Sequence, residues 1–370
     1  MAKLAKQKAK HILSDESLGF LRNYINNPSP VGFESSGQKL WLQYLKPFVQ
    51  STFVDPYGTA VGMINQKANF KVVIEAHADE ISWFVNYITP EGLLYLKRNG
   101  GVDHQIAPGQ RVLVMGRKGM VKAVFGWPAI HTRIASTDTK ETQPKVENLF
   151  LDCGARNRKE VEELGVHVGS VVTYQEGYDE LANNYLIGRA FDNRIGGFMI
   201  AEVARLITNN KIKLPYGLYI VNAVQEEIGL RGAEMIARRI KPNVAIITDV
   251  THDTSTPMVN KIIEGDIACG KGPSLAYGPA VHNKLLHLVQ DVAVKKKIPV
   301  QMRTVSRSTG TDTDSFAYAN DGCPSVLISI PLRYMHTTVE MLHRDDIEQT
   351  IQLMYETLLT LTPNTNLNYL

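Results

Sequence analysis

Four short apolar runs, at residues 71–76, 216–224, 243–248 and 325–330, constrain this chain more than any other feature of it. Each reads as a buried strand. Between and around them lie segments with helical periodicity, at 16–27, 34–49, 193–207, 229–240, 282–297 and 345–361. Ser14 or Asp15 is placed to cap the first helix, and Asn27-Pro28-Ser29-Pro30 ends it. Strand alternating with helix is the signature of a doubly wound α/β sheet, mixed in strand direction, with helices on both faces. Between 82 and 174 the texture changes. Short β-type runs at 111–115, 119–125 and 170–174 alternate with Gly and Pro, and one short helix falls near 159–164. At 370 residues the chain exceeds what one core supports. The expectation is an α/β domain in two parts, 1–81 and 175–370, interrupted by a small β-rich, barrel-like domain at 82–174.

Composition excludes several classes of partner. Lys plus Arg number 40 against 37 Asp plus Glu, a balance too near neutral to predict nucleic acid or an anionic membrane. No run approaches the roughly 18 apolar residues of a membrane span. The leader Met1 to Lys10 is basic without an apolar stretch and reads as a solvated segment. Cys153, Cys269 and Cys323 are odd in number and far apart. They form neither a disulfide framework nor a CxxC site, so they read as small core residues in a reducing cytoplasm.

The ionisable residues fall in a pattern. His77, the pair Glu226 and Glu227, Asp249 and His336 each stand at or just beyond the carboxyl end of one of the four apolar strands. In open α/β sheets the ligand crevice lies outside those ends, so residues far apart in sequence are delivered to one crest. Asp192 joins them if the loop Gly188-Arg189-Ala190-Phe191 brings the chain back to the same place. Two carboxylates about 4 Å apart repel by roughly 4 kcal/mol at an effective dielectric near 20. Nearby in sequence only Arg189 and Arg194 offer counter-charge. Two divalent cations would balance Asp192, Glu227, Asp249 and a bridging hydroxide, with His77 and His336 as neutral donors. Mixed His and carboxylate donors suit Zn2+, Co2+ or Mn2+ better than Ca2+ or Mg2+. Each residue alone has an ordinary reading: a hydrogen-bonded pair at a strand end, a solvated helix start, a turn cap, an N-cap, a loop histidine. Their coincidence at one edge of one sheet is what points to a two-metal hydrolytic centre. His11, His104, His167, His282, His287 and His343 lack such company and read as ordinary.

Five motifs stand in order: His77-Ala78-Asp79-Glu80, Gly188 to Arg194, Glu226 to Ala233, Asp249-Val250-Thr251-His252, and Arg333-Tyr334-Met335-His336. With Ser29 to Glu34 and Gly310-Thr311-Asp312, they make the chain resemble the M42 aminopeptidases over nearly its whole length. These are the tetrahedral or glutamyl-aminopeptidase-like metallopeptidases, some of them labelled endoglucanases. The resemblance implies that His77 and Asp249 hold one metal, Glu227 and His336 the other, and that Asp192 bridges them. It implies Glu226 as general base and Asp79 as the group that orients His77. It further implies that the β-rich domain makes dimers, which assemble into dodecamers. The chain departs from the usual family pattern at Thr309, before Gly310, and at Trp127-Pro128-Ala129-Ile130-His131, neither of which touches an implied ligand. The expected reaction is removal of the first residue from peptides with a free amino terminus, with a water between two Zn2+ or Co2+ ions as nucleophile. Glu226 would take its proton and pass it to the leaving amine. Two alternatives stand beside this. A glycoside hydrolase would use Glu226 with a second carboxylate, but adjacent strand residues point to opposite faces and the two histidines go unexplained. A metal-binding assembly protein without activity would keep the site and lose the turnover.

Overall fold

The computed structural model describes residues 12–134, 143–175 and 177–370; the basic leader and His11 lie outside the described residues. Along the chain come α1 (Asp15–Asn26), α2 (Ser35–Leu45), β1 (Ser51–Val54), β2 (Ala60–Ile64) and β3 (Lys71–His77). Next are β4 (Ser82–Ile88), β5 (Leu94–Asn99), β6 (Arg111–Gly116), β7 (Gly119–Gly126), α3 (Ile130–Ile134), β8 (Phe150–Asp152), α4 (Arg158–Glu163) and β9 (Val171–Tyr174). The chain continues through β10 (Asp179–Glu180), β11 (Tyr185–Gly188), α5 (Phe191–Asn209), β12 (Gly217–Ala223), α6 (Arg231–Ile240), β13 (Val244–His252) and α7 (Lys261–Glu264). It closes with β14 (Ser274–Tyr277), α8 (Asn283–Lys296), β15 (Gln301–Thr304), α9 (Thr313–Ala317), β16 (Ser325–Leu332), β17 (Glu340–His343) and α10 (Arg344–Thr360).

Eight strands form one mixed sheet in the order β1-β2-β12-β3-β13-β16-β14-β15. Its centre, β12-β3-β13-β16, is all parallel, and these strands are buried on both faces, as crossover helices require. The doubly wound α/β class read from the sequence is the class observed. On one face α5 lies across β3, β12 and β13 and gathers α1, α2 and α10 around it. Gly196 of α5 permits that approach, since a Cβ there would sit 2.8 Å from Ala76. Strand alternation then turns Glu75 and His77 to the other face, where α6 and α9 pack.

Six strands close a barrel in the order β4-β5-β8-β7-β6-β9. It has its own apolar core, in which the Trp83 and Phe125 rings meet edge to face at 5.6 Å. Boundaries differ from the periodicity reading where local chemistry intervenes. The second helix stops at Leu45 and tightens into a 3-10 turn over Lys46–Phe48, because Pro47 cannot donate to a helix interior. The outermost strands of the large sheet, β1 and β15, are each four residues long and alternate between half-buried and exposed, too weak a pattern to read from sequence.

Candidate metal centre

The crest forms where β3 leaves the sheet. Ala223 of β12 pairs with His77, and Ile247 of β13 pairs with Glu75, so two residues further on Asp249 stands level with His77. Beyond His77 the chain departs for the barrel, while β13 continues beside β16 as far as His252 opposite Leu332. The gap between β12 and β13 is the crevice. Asp249 therefore lies inside its strand and not at the end of it, as the sequence suggested, because β16 goes on satisfying the β13 backbone.

Glu226 and Glu227 likewise do not sit on a strand. β12 ends at Ala223, and the pair follows Gln225, whose φ of 59° turns the chain. Pleating therefore does not separate the two carboxylates, and it provides no reason against their flanking one bond; the loop and its anchor do the separating. Asp192 lies in the first turn of α5 with non-helical φ −76° and ψ 109°, joined to Asn193 by a cis peptide. His336 follows β16 at φ 61°, and Ala190 before Asp192 stands at 59°. Side chains other than glycine hold such angles only when something fixes them.

Two buried carboxylates are the fixings. Asp79 accepts from the backbone N–H of Glu226 at 3.0 Å and of Glu227 at 3.1 Å. Glu340, on β17, accepts from the backbone N–H of Asp192 at 3.1 Å and of His336 at 2.9 Å. Asp79 was expected to bond the far nitrogen of His77. Its Oδ1 lies 3.5 Å from His77 Nδ1, which makes no hydrogen bond among the described residues, and each Asp79 oxygen accepts instead from one of the two backbone N–H groups. Glu340 carried no signal in the sequence, since a lone Glu in a short strand reads as surface.

Around these anchors the donor atoms converge. His77 Nε2 is 3.2 Å from Asp192 Oδ1, 3.8 Å from Asp249 Oδ1 and 3.9 Å from Glu226 Oε2. His336 Nε2 is 3.2 Å from Asp192 Oδ2 and 3.3 Å from Glu227 Oε1. Asp192 thus faces one histidine with each oxygen. The donors fall into two groups sharing it, His77–Asp192–Asp249 and Asp192–Glu227–His336, each within 4.8 Å. On its other side His336 Nδ1 meets the Gly101 carbonyl at 3.2 Å, a bond that leaves Nε2 facing the crevice.

The charges ask for cations. Burial, with neighbouring carboxylates adding to it, pushes Glu226 up to about 10 and Asp249 up to about 7, and raises Glu227. Burial works against protonation of His336, but its bonds to Asp192 and Glu227 outweigh that and push it up to about 11; burial likewise opposes protonation of His77, and Asp192 with the nearby charges of Asp79 and Glu226 raises it well above its ordinary value. All of these shifts favour positive charge at the crest, which divalent ions would supply in a mixed His and carboxylate site. Glu227 Oε1 is buried, and the group that faces it among the described residues is His336 Nε2 at 3.3 Å, its co-donor in the second set. Beneath them, Glu75 and Asp312 are buried together; burial comes first in raising both, Glu75 to about 8.

Arg189 and Arg194 do not supply the counter-charge that the sequence offered. Both guanidinium groups turn to Glu80, and the fully buried Arg194 also donates to the carbonyls of Tyr24 and Asn27. The cation that does line the crevice is Arg303 of β15, which sequence reading passed over because it sits on a short edge strand. The crevice encloses about 320 Å³ and is lined by all five donors, Glu226, Arg303, Thr309, Thr311 and Met335 among others.

Comparison with known proteins agrees in kind. A family model described as M42 glutamyl aminopeptidase matches residues 58–353. The chain is 31% identical over 346 residues to a lysyl aminopeptidase of Pyrococcus furiosus, covering 93% of this chain and 97% of that one. Its fold superposes with a TM-score of 0.90 on a TET aminopeptidase from a marine-sediment Thaumarchaeota archaeon, at 31% identity over 95% of this chain and 98% of that one. A Pyrococcus horikoshii TET1 peptidase, described as assembling into a tetrahedron or a large octahedral shell, matches with a TM-score of 0.81 at 25% identity, over 92% and 98% of the two chains.

Proposed function

The chain belongs to the M42 glutamyl aminopeptidase family, a family of peptide hydrolases acting as exopeptidases, and on that premise we propose that it works with two divalent cations and with Glu226 as general base. The observation that carries this is Asp192, whose two carboxylate oxygens each stand 3.2 Å from a different histidine Nε2. His77 and Asp249 complete one donor set, Glu227 and His336 the other. The donors suit Zn2+ or Co2+. Bound there, such ions would lower the pKa of water toward neutrality and polarise a carbonyl.

The remaining work belongs to side chains. Glu226 is in neither donor set, yet its Oε2 lies 3.9 Å from His77 Nε2, at the edge of the same crevice. Burial foremost, and then the charges of Asp312, Asp249 and Glu227, push its carboxyl up to about 10, and positive charge held beside it would bring it down toward the range where it accepts a proton at neutral pH. It takes that proton from the attacking water and returns it to the departing amine, which an amide nitrogen needs in order to leave. Asp79 and Glu340 hold the loops, and the Gly101 carbonyl sets the face that His336 presents.

The same proposal includes a division at 1–81, 82–174 and 175–370, with the middle part making dimers that build a larger shell. It is supported by exposed apolar side chains on the barrel, Met120, Val124 and Val168, and by the shells described for the Pyrococcus relative. A cytoplasmic setting is supported by three free cysteines, and no helix among the described residues is long and apolar enough to cross a membrane. A panel of aminoacyl-nitroanilides on Zn2+- or Co2+-reconstituted protein tests the reaction, with light scattering to count subunits. Glu226→Gln with wild-type turnover and both ions bound would remove Glu226 from the role of base.

A further inference from the structure

We propose that Asn193 is a positioning residue that fastens Asp192 to the strand carrying Asp249, so that it sets the affinity of the ion held by His77, Asp192 and Asp249 and leaves the other ion alone. This rests on the two-cation reading and adds the residue that holds one donor set together. Asn193 follows Asp192 with φ −115° and ψ 36°, outside the helical region, and its side-chain Oδ1 accepts from the backbone N–H of Gly196 at 3.1 Å. That is the bond of a helix N-cap, so the regular turns of α5 start after Asn193 and Asp192 stands outside them. Gly196 leaves room for it, since a Cβ there would lie 2.3 Å from Asn193 Oδ1.

A cap needs an oxygen alone, and Ser or Asp would serve as well as Asn. The other half of the amide reaches across to the sheet. Its Nδ2 donates at 2.8 Å to the carbonyl of Thr248, the residue before Asp249 on β13. Pairing of β13 with β3 stops at Ile247, so this bond joins α5 to β13 one residue beyond the last one paired. Asn193 is 1% exposed and the bond is buried. Removing the donor would leave a buried carbonyl unsatisfied, which costs more than losing an exposed bond. The crest uses the same device twice more. Glu340 spans the N–H groups of Asp192 and His336, and Asp79 those of Glu226 and Glu227. Asn193 supplies the corresponding span from Asp192 to Asp249, two donors whose Oδ1 atoms lie 3.2 and 3.8 Å from His77 Nε2.

The test takes the full chain as wild type, Asn193→Ser and Asn193→Asp, each with a checked melting curve, and titrates it with Co2+ alone by calorimetry and proton NMR. Paramagnetically shifted ring signals of His77 and His336 report the two sites separately, once Asp249→Ala and Glu227→Ala have assigned them. Asn193→Ser keeps the cap oxygen and loses the reach to Thr248; Asn193→Asp keeps cap and length and loses the donor. Both are expected to weaken the ion at His77 roughly 10- to 100-fold and to change the ion at His336 by less than about threefold. A loss as large at His336 as at His77, or wild-type affinity at His77 in either variant, overturns the proposal and leaves Asn193 a helix cap. Should wild type take up fewer than two ions, the two-cation reading fails by that count alone. The proposal then stands only if a bound ion shifts the His77 signals and weakens in both variants.

Discussion

The barrel and the crest of the large sheet are both built from β-strands, and they handle polarity in opposite ways. Inside the barrel the core is apolar, with Trp83, Phe125, Leu94 and Val112 in it and a few small polar groups such as Thr173 and Ser82 beside it, and among the described residues no barrel carboxylate is buried. At the crest Asp79, Asp192, Asp249 and Glu340 are buried together, each 7% exposed or less. An apolar core gains from burial in proportion to area and wants nothing else. Buried carboxylates cost free energy unless donors and cations meet them, so the crest is stable only in so far as it is organised. The two regions nonetheless touch, because the loop leaving β5 carries the Gly101 carbonyl to His336.

Breaking the crest without breaking the fold should give the largest effect. Glu226→Gln is expected to lower kcat by about 10³-fold or more, with both ions retained by metal analysis and the melting temperature little changed. Its counterpart in the barrel is Trp83→Ala, which removes a fully buried ring. It should cost about 3–5 kcal/mol of stability in a denaturant titration, with kcat per folded molecule close to wild type. A large loss of kcat from Trp83→Ala would show the regions to be less separate than their cores.

Gly101→Ala tests the point where they meet. A Cβ at 101 would lie 2.9 Å from the His336 ring, so the ring must shift and ion affinity should drop roughly 10- to 100-fold, read by competition with a chelating dye. Smallest is the response to acid. Burial foremost, and then Asp192, hold Asp249 protonated in the ion-free protein up to about pH 7. Its pKa is raised, so below that pH a cation must displace the Asp249 proton in addition to those the site's histidines hold, and above it Asp249 adds none. Apparent affinity should then fall by about a further tenfold per unit as pH drops below 7, with the added proton release seen by calorimetry in two buffers.

Much of this was legible in the chain. His77, Glu227, Asp249 and His336 could be nominated because each follows or ends an apolar run, and apolar runs are local, whereas Asp192 entered only through the loop 188–191 before it. Arg303 and Glu340 were not, since the strands that carry them are four residues long and draw their stability from neighbours. Arg189 and Arg194 misled for the converse reason. Closeness in sequence to Asp192 says nothing of Glu80, which reaches both from another strand end.

By itself the sequence determined the class of sheet, the identity of its four central strands and the residue types at its crest, because hydrophobic period and side-chain chemistry are properties of short segments. The tertiary structure decided how Glu226 and Glu227 part, which carboxylates fasten the loops and which arginine faces the crevice. Those depend on backbone turns such as the one at Gln225, and on contacts such as Glu340 with the N–H of Asp192, between residues far apart in the chain. No local pattern records such a contact; it exists only once the parallel strands have brought both ends to the same edge.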